Sequence, residues 1–355
     1  MIEFEYQTLP WNIVFGAGAL ARLPGELDKL GMKRALVLTT PNQTDSGETV
    51  LDLLDDRAAG LFDQCVMHVP QQTVTAASVR ARELGADCTV ALGGGSTTGL
   101  GKALAVQMNL PNIVIPTSYA GSEMTNIWAI TDEGRKVTAR DNEAVPTLTL
   151  YDPELTLTLP PKFAAASGLN AMAQAVVNIA TDKVNPIVSC LAVDAVRSLY
   201  ESLPVIMDKP DDMEARSKAL YGACLAGGAL GTGATSLHHK ICHTMGGTFN
   251  MPHAETHAVI LPHSVAYNTA ATPEGSARLA EAMRANNAAD AIYDLMKKLG
   301  LPLGLKDLGF SEAEIDKAAE ITLENSFHNA EPVSFERLRT LLQNAYEGVP
   351  PQAIT

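Results

Sequence analysis

Six of the eight histidines in this chain fall between positions 238 and 263. They are His238, His239, His243, His253, His257 and His263. His239 and His243 are four residues apart, which places both on one face of a helix, and His253 and His257 repeat that spacing. The zinc-protease pattern requires a glutamate after the first histidine, whereas Lys240 follows His239. Imidazole also exchanges protons near neutral pH. The cluster therefore indicates a metal site, a general-acid site or a pocket for an anionic substrate.

Three consecutive glycines, Gly93 to Gly95, follow a short apolar run and precede a helical pattern. Glycine lets the backbone approach a ligand closely, and a helix N-terminus offers unpaired N–H groups to a phosphate. The spacing matches neither G-x-G-x-x-G nor the Walker pattern, so a glycine-rich turn without a ligand is the alternative. We expect Gly94, Gly95 and Ser96 to bind the pyrophosphate of a dinucleotide.

A second loop, residues 116–125, also follows an apolar run and carries small hydroxylated side chains. Ligands of open parallel sheets bind beyond the carboxyl ends of the strands, where both loops would lie. Thr117, Ser118 and Thr125 are therefore expected to line the nicotinamide half of a cofactor. The alternative is an ordinary Ser/Thr turn.

The first part of the chain alternates short β-branched runs with helical patterns, which predicts a parallel sheet with crossover helices. Strands are predicted at 34–41, 64–69, 88–92 and 112–116, helices at 74–84 and 98–106, and a hairpin within 131–150. From residue 155 apolar residues recur with helical period. Helices are predicted at 163–180, 186–200, 212–237, 274–284, 288–299, 311–323 and 334–346. We expect an α/β dinucleotide-binding domain over 1–155 and an all-helical substrate domain over 156–355.

The composition favours a soluble globular protein. Of 355 residues 46% are hydrophobic, and 26 basic against 40 acidic side chains give a net charge of −14. That charge argues against binding to nucleic acid or anionic lipid. The uncharged stretch Ala219–Leu237 is rich in glycine, so we expect a closely packed helix rather than a membrane span. Five dispersed cysteines and the absence of a signal-peptide pattern are typical of a cytoplasmic protein.

Taken together, these loops and the histidine cluster resemble the iron-containing (group III) alcohol dehydrogenase family. The matching motifs are Phe15–Leu20, Gly93–Ser96, Gly121–Thr125, Asp152–Thr156 and His239-x3-His243-x9-His253. Within it the chain is most similar to the branch formed by the maleylacetate reductases, in Ile115–Thr125, Leu237–His243, Gly246–His257 and Leu261–Asn268. The resemblance runs nearly end to end. It implies an α/β dinucleotide-binding domain followed by a helical domain.

The chain departs from the family at the metal-binding positions. Metal-dependent members use an Asp and a His four residues apart and two later histidines. Here Asn170 and Gln174 stand at the first two positions, while His239 and His253 match the last two. Two neutral amides replace an anion and an imidazole, so we expect no tightly bound metal. Glu331 stands where an arginine is common, which leaves the recognition of the substrate carboxylates open.

The resemblance implies reduction of 2-maleylacetate, a small dicarboxylate, to 3-oxoadipate by NADH or NADPH in the breakdown of aromatic compounds. His243 and His253 are then the expected donors to the substrate, with His239 and Tyr119 as secondary candidates. Asn170 and Gln174 would hydrogen-bond the substrate, and Lys136 matches a family lysine near the cofactor. The strand that ends in Leu38-Thr39-Thr40-Pro41 lacks the acid that would bind the ribose 2′-hydroxyl and repel a 2′-phosphate. We therefore expect Thr40 at the cofactor and NADPH to be accepted alongside NADH.

Two other interpretations stay open, and the family also suggests a homodimer. In the first, the chain is a related reductase of another unsaturated or oxo dicarboxylate. In the second, it is a catalytically silent dinucleotide-binding protein. The preserved glycines and late histidines argue against the silent protein.

Overall fold

The structure is a computed structural model, and it describes residues 3–132, 135–183 and 185–354. The chain divides into two compact units. One is Thr8–Leu159, and the other comprises the described residues of Met1–Gln7 and Pro160–Thr355. The first unit combines a parallel sheet with helices and the second is helical, which confirms the predicted fold class.

The α/β unit contains a six-stranded sheet. The strands of the unit are β1 (Ile13–Phe15), β2 (Ala35–Leu38), β3 (Ala58–Phe62), β4 (Cys88–Gly93), β5 (Asn112–Pro116), β6 (Ile127–Asp132), β7 (Arg135–Arg140) and β8 (Leu148–Tyr151). Its α-helices are α1 (Leu23–Leu30), α2 (Thr44–Leu54), α3 (Gln71–Leu84) and α4 (Gly95–Met108). The sheet order is β1-β8-β5-β4-β2-β3, with every neighbouring pair parallel, whereas β6 and β7 form an antiparallel hairpin.

Apolar side chains cover both faces of this sheet. Val37 on β2 packs in a cluster with residues of α1 and α2, while Leu36 and Leu38 pack with residues of α3 and α4. Successive residues of a strand point to opposite faces, so a strand buried on both faces is apolar throughout. That is why the continuous apolar runs in the sequence predicted β2, β4 and β5.

The strand order reverses between β2 and β4. From β2 the chain continues to β3 on one side, and from β4 it continues to β5 on the other. The helices that follow β2 and β4 lie on opposite faces of the sheet, and a crevice forms at such a point beyond the carboxyl ends of the strands. The fold therefore places the end of β2 and the glycine-rich loop after β4 on either side of this crevice.

The prediction of a strand at 64–69 is wrong. The third strand is β3, and the segment after it is a loop in which His68 and Val69 have positive φ angles of 66° and 47°. Cys65 and Val69 are nevertheless buried in the core that contains α3 and α4. Their apolar character reflects burial of a loop rather than a strand. The expected hairpin also begins earlier, at β6, and β8 belongs to the main sheet instead.

The second unit consists of helices within its described residues. They are α5 (Pro161–Val176), α6 (Pro186–Asp208), α7 (Met213–Thr232), α8 (Leu237–Phe249), α9 (His253–Asn268), α10 (Pro273–Ala282), α11 (Ala288–Lys298), α12 (Ile315–Leu323) and α13 (Phe335–Glu347). The glycine-rich helix α7 packs on α6 as expected, because a Cβ on Gly222 would lie 2.9 Å from Leu199 Cγ. It ends at Thr232, five residues before the predicted end. None of the helices in the described ranges is long and apolar enough to cross a membrane.

Candidate active site

The glycine-rich loop joins β4 to α4. Gly93 has φ +147°, which side chains rarely allow, and a Cβ there would lie 2.7 Å from Thr97 Oγ1. Gly94 precedes the helix, and its carbonyl accepts a hydrogen bond of 2.9 Å from the Thr97 hydroxyl. Gly95 is exposed, and a Cβ built on it would approach only the Cβ of Ala120, at 4.0 Å. Open space therefore lies beside the first turn of α4, as phosphate binding to backbone N–H groups requires.

Polar side chains connect the ends of β2 and β5 beside this loop. The Thr40 hydroxyl donates to Gln43 Oε1 at 3.2 Å, and Gln43 Nε2 donates to Thr117 Oγ1 at 3.1 Å. The backbone N–H of Thr117 donates to the carbonyl of Gly93 at 3.0 Å. The structure thus brings together the expected residues Thr40, Thr117 and the glycines. It adds Gln43, which sequence reasoning missed.

Lys102 lies about two turns into α4, is fully buried and was also missed. Its ammonium group donates to the carbonyls of Ser122 at 2.5 Å, Thr125 at 2.7 Å and Ile127 at 2.9 Å. It also donates to Thr125 Oγ1 at 3.0 Å. Burial lowers the pKa of Lys102 to about 7, and the carboxylate of Glu123 opposes that shift. The lysine therefore ties the loop after β5 to the helix that carries the glycines.

This network gives Thr125 a structural partner. The Thr125 hydroxyl is buried and lies within hydrogen-bonding distance of Lys102 Nζ and the Ser122 carbonyl.

The other residues expected at the nicotinamide have different surroundings. Ser118 is buried, and its Oγ would lie 3.0 Å from a Cβ built on Gly94. Tyr119 has no exposed surface, and its hydroxyl lies 3.5 Å from Thr156 Oγ1. Lys136 lies on β7, but its side chain is outside the part of the chain that the structure describes.

In the helical unit, α8 and α9 carry the histidine cluster, as the spacing predicted. The two helices pack against each other, and α5 packs on α9. The ring of His253 lies 4.5 Å from that of His257, and the ring of His239 lies 5.6 Å from His257 and 6.2 Å from His243. His243 and His253 are exposed, whereas His239 and His257 are buried. His238 and His263 are buried as well, so the cluster has two accessible imidazoles and four buried ones.

The buried histidines form a hydrogen-bonded chain with a serine. His238 Nδ1 lies 3.1 Å from Ser264 Oγ, and His238 Nε2 lies 2.9 Å from His257 Nδ1. The Cys242 thiol is 3.8 Å from His238 Nε2. His238, Cys242 and His257 have ligand atoms close enough together to hold a metal ion, but the two imidazoles already bond to each other.

Burial keeps these imidazoles neutral. It lowers the pKa of His238 to about 3 and that of His263 to about 4. The pKa values of His239 and His257 lie well below the usual value for the same reason, with further lowering by neighbouring histidines. Neutral imidazoles donate one hydrogen bond and accept another, so the cluster does not present a block of positive charge.

Several buried polar atoms beside α9 lack a partner among the described residues. They are both ring nitrogens of His239, Nε2 of His257 and Oδ1 of Asn170. Asn170 and Gln174 are buried four residues apart on α5. Buried polar groups are nearly always hydrogen-bonded, so unpartnered ones mark a place for a ligand.

The donor set does not fit a tightly bound divalent metal. Asn170, Gln174, His239 and His253 supply two amides and two imidazoles, and none of them carries a negative charge. A buried divalent cation needs an anionic or strongly donating shell to offset its lost hydration. The unpartnered atoms suit hydrogen bonds to a polar organic ligand better.

The glutamate at position 331 has a cationic partner in the same unit. Arg337 on α13 donates to Glu331 Oε1 at 2.7 Å and to the carbonyl of Ile354 at 2.6 Å. Its guanidinium also lies 4.6 Å from the ring centre of Tyr267. The charge of the Glu331 carboxylate is therefore balanced by an ion pair with Arg337, so it is not an isolated charge that would repel an anionic substrate.

Comparisons with known proteins agree with this architecture. Residues 10–153 match the profile of the iron-containing alcohol dehydrogenases, and residues 164–346 match that of the Fe-containing alcohol dehydrogenase family, C-terminal. A maleylacetate reductase of Sphingobium indicum is 48% identical over 99% of both chains.

Solved structures show the same similarity. A maleylacetate reductase from Agrobacterium tumefaciens is 45% identical, with a TM-score of 0.96 over 99% of this chain and 100% of that one. A sulfoacetaldehyde reductase from Bifidobacterium kashiwanohense in complex with NAD⁺ is 25% identical, with a TM-score of 0.89 over 97% of this chain and 99% of that one.

Proposed function

The chain belongs to the iron-containing alcohol dehydrogenase family, and we propose that it catalyses the reduction of 2-maleylacetate to 3-oxoadipate by NADH or NADPH. The observation that carries the proposal is the end-to-end similarity to maleylacetate reductases at 48% identity. The open first turn of α4 and the accessible imidazoles of α8 and α9 support it.

The reaction reduces a carbon–carbon double bond conjugated with a ketone. When bound, the dinucleotide supplies a hydride, and this chemistry belongs to the cofactor rather than to the protein. Hydride addition to the alkene carbon remote from the ketone would shift the double bond next to the carbonyl carbon and place the carbonyl electron pair on oxygen, which gives an enolate. A proton added to the carbon between them would restore the ketone. The protein must therefore donate hydrogen bonds to the enolate oxygen and deliver one proton.

We assign those tasks to the accessible histidines. His243 and His253 are exposed, so a substrate can reach their N–H groups. His239 is a buried neutral imidazole, and whichever ring nitrogen carries its proton has no acceptor among the residues that the structure describes. Asn170 and Gln174 would hydrogen-bond the substrate carboxylates or ketone. Tyr119 becomes a weaker candidate because its side chain has no exposed surface.

We further propose that the reaction needs no metal, because Asn170 and Gln174 are uncharged donors. Purified protein should then contain far less than one divalent ion per chain, and EDTA should leave turnover unchanged. Elemental analysis together with chelator treatment tests this. Stoichiometric iron or zinc with chelator-sensitive turnover would contradict it.

For the cofactor, we propose that Gly94, Gly95 and Ser96 hold the pyrophosphate, with Thr117, Ser118, Thr125 and Lys136 towards the nicotinamide. Thr40 follows β2 where an acid would repel a 2′-phosphate, so NADPH should be accepted with NADH. We also propose a homodimer in the cytoplasm, and light scattering of the purified protein would measure its mass.

The function is tested by following NADH oxidation with freshly prepared maleylacetate. Simple aldehydes and ketones serve as controls for alcohol dehydrogenase activity, and other unsaturated or oxo dicarboxylates test a related substrate. Rapid turnover of maleylacetate alone is the expected result. Binding of NADH, measured by its fluorescence, without turnover of any of these compounds would instead indicate a silent binding protein.

A further inference from the structure

A chain of hydrogen bonds runs through the buried side of the histidine cluster, in residues to which the proposed mechanism gives no role. Ser264 Oγ lies 3.1 Å from His238 Nδ1, and His238 Nε2 lies 2.9 Å from His257 Nδ1. All three side chains are buried. Each neutral imidazole carries one N–H, so the position of the first proton determines all the others.

The serine sets the direction of this chain. The Ser264 hydroxyl donates its single hydrogen to the carbonyl of Leu261, at 2.9 Å. Its oxygen can then only accept from His238, which places the His238 proton on Nδ1. His238 Nε2 is consequently an acceptor, and the hydrogen bond from His257 requires the His257 proton on Nδ1. The Cys242 thiol, 3.8 Å away, can donate weakly to the same acceptor nitrogen.

The opposite direction is less favourable. If Ser264 donated to His238, its bond to Leu261 would be lost, and His257 would carry its proton on Nε2. That nitrogen is buried and has no partner among the described residues. The reversed chain therefore makes one hydrogen bond fewer and leaves a buried N–H unpaired, which is costly.

We propose that Ser264 and His238 are positioning residues that hold the His257 proton on Nδ1, so that His257 Nε2 presents a lone pair beside the imidazole of His253. The His253 ring is 4.5 Å from that of His257, nearer than the His239 ring at 5.6 Å. His257 thus donates from Nδ1 to His238, and towards His253 it can only accept a hydrogen bond, at Nε2.

The catalytic consequence rests on the proposed function. Ketone, enolate and carboxylate oxygens of the substrate all accept hydrogen bonds, so none can pair with the lone pair of His257. His257 instead accepts from a protonated imidazole, and its neighbour His253 is a proposed proton source. The chain would thereby orient that donor towards the substrate.

The proton positions can be read directly by NMR of the full-length protein with ¹⁵N-labelled histidine, without cofactor or substrate. Correlations between ring nitrogens and ring carbon-bound protons distinguish the two tautomers, and His238→Gln and His257→Gln variants assign the signals. We expect both residues to be protonated on Nδ1. A His257 signal protonated on Nε2 would overturn the proposal, whether or not the protein reduces maleylacetate.

Two substitutions of Ser264 test whether its hydroxyl fixes the tautomer of His257. Ser264→Ala removes the acceptor for His238, and we expect it to abolish the fixed tautomer and lower kcat about tenfold, the change that corresponds to one lost hydrogen bond. Apparent NADH affinity should not change, and Ser264→Thr, which keeps the hydroxyl, should restore the tautomer and kcat.

The matched control is Ser202→Ala, because Ser202 is a buried helical serine that bonds only to backbone carbonyls. Identical tautomers and kcat in the Ser264→Ala and Ser202→Ala variants would contradict the role of Ser264. If Ser264→Ala does not fold, the wild-type spectrum still decides the proton positions.

Discussion

Among single residues, the two exposed histidines give the sharpest test of the proposed chemistry. His243→Ala and His253→Ala should each lower kcat by about 10²–10⁴-fold, the usual contribution of general acid catalysis. Because both side chains are exposed, their removal should change the melting temperature little. NADH affinity should also stay close to that of the wild type. Steady-state rates and circular dichroism melts of the same two variants measure these effects, and near-normal turnover in both would make His239 the next candidate.

The histidine spacing predicted that His239 and His243 share one helix face, with the same spacing for His253 and His257, but it could not separate their environments. A pattern of i and i+4 shows which residues share a helix face and does not show what covers that face. His243 is exposed and His239 buried, although both lie on α8 one turn apart. Likewise, Glu331 left carboxylate recognition open because it stands where an arginine is common, and the sequence did not show that Arg337 would be its partner.

At the level of elements, the strand–loop–helix unit β4–α4 can be tested through its glycines. Gly95→Val places a branched side chain beside the first turn of α4, where only Ala120 is near, so the fold should be retained. The apparent KM for NADH should rise by an order of magnitude or more, because pyrophosphate must approach that backbone closely. Gly25→Val is the matched control, since Gly25 is an exposed glycine in the first turn of α1 with nothing within 4 Å. Equal effects of the two substitutions would show that the loop is only a turn.

Lys102 links two elements, and its loss should be felt at the cofactor loop. Lys102→Met removes the donor that satisfies three carbonyls, and a buried carbonyl left unpaired costs about 1–3 kcal/mol. We expect a clearly lower melting temperature and a higher KM for NADH. Lys33→Met, at an exposed lysine, should change stability by less than about 0.5 kcal/mol. If Lys102→Met melts like Lys33→Met, the lysine does not hold the loop.

The sequence predicted elements best where local pattern and tertiary environment agree. The strand at 112–116 has the predicted bounds because it is central and apolar on both faces. The segment 64–69 misled because a buried loop carries the same residue types as a strand. Gln43 and Lys102 were missed because their partners lie 20 to 74 residues away in the chain.

For the whole molecule, the neutral buried histidines predict a loss of stability in mild acid. The folded-state pKa of His263 is about 4, below the value of about 6.5 in the unfolded chain. The unfolded state therefore binds the extra proton, so the full stability is present above about pH 6.5 and is lost as the pH falls towards 4. The loss is about 1.4 kcal/mol per pH unit for such a group. Urea titrations between pH 7 and pH 4 should show a shallower decline for His263→Gln than for the wild type, and parallel curves would contradict the assignment.

The bonds that Lys102 makes also bear on how the cofactor loop responds to its solution. Several carbonyl oxygens that converge on one cation form the kind of cage that binds potassium in other proteins. Here the cation is covalently part of the chain, so it cannot be diluted, dialysed or exchanged. The loop that follows β5 should keep its shape in sodium, potassium or ammonium salts alike. The folded loop therefore needs no inorganic cation from solution, because the Lys102 side chain takes that position.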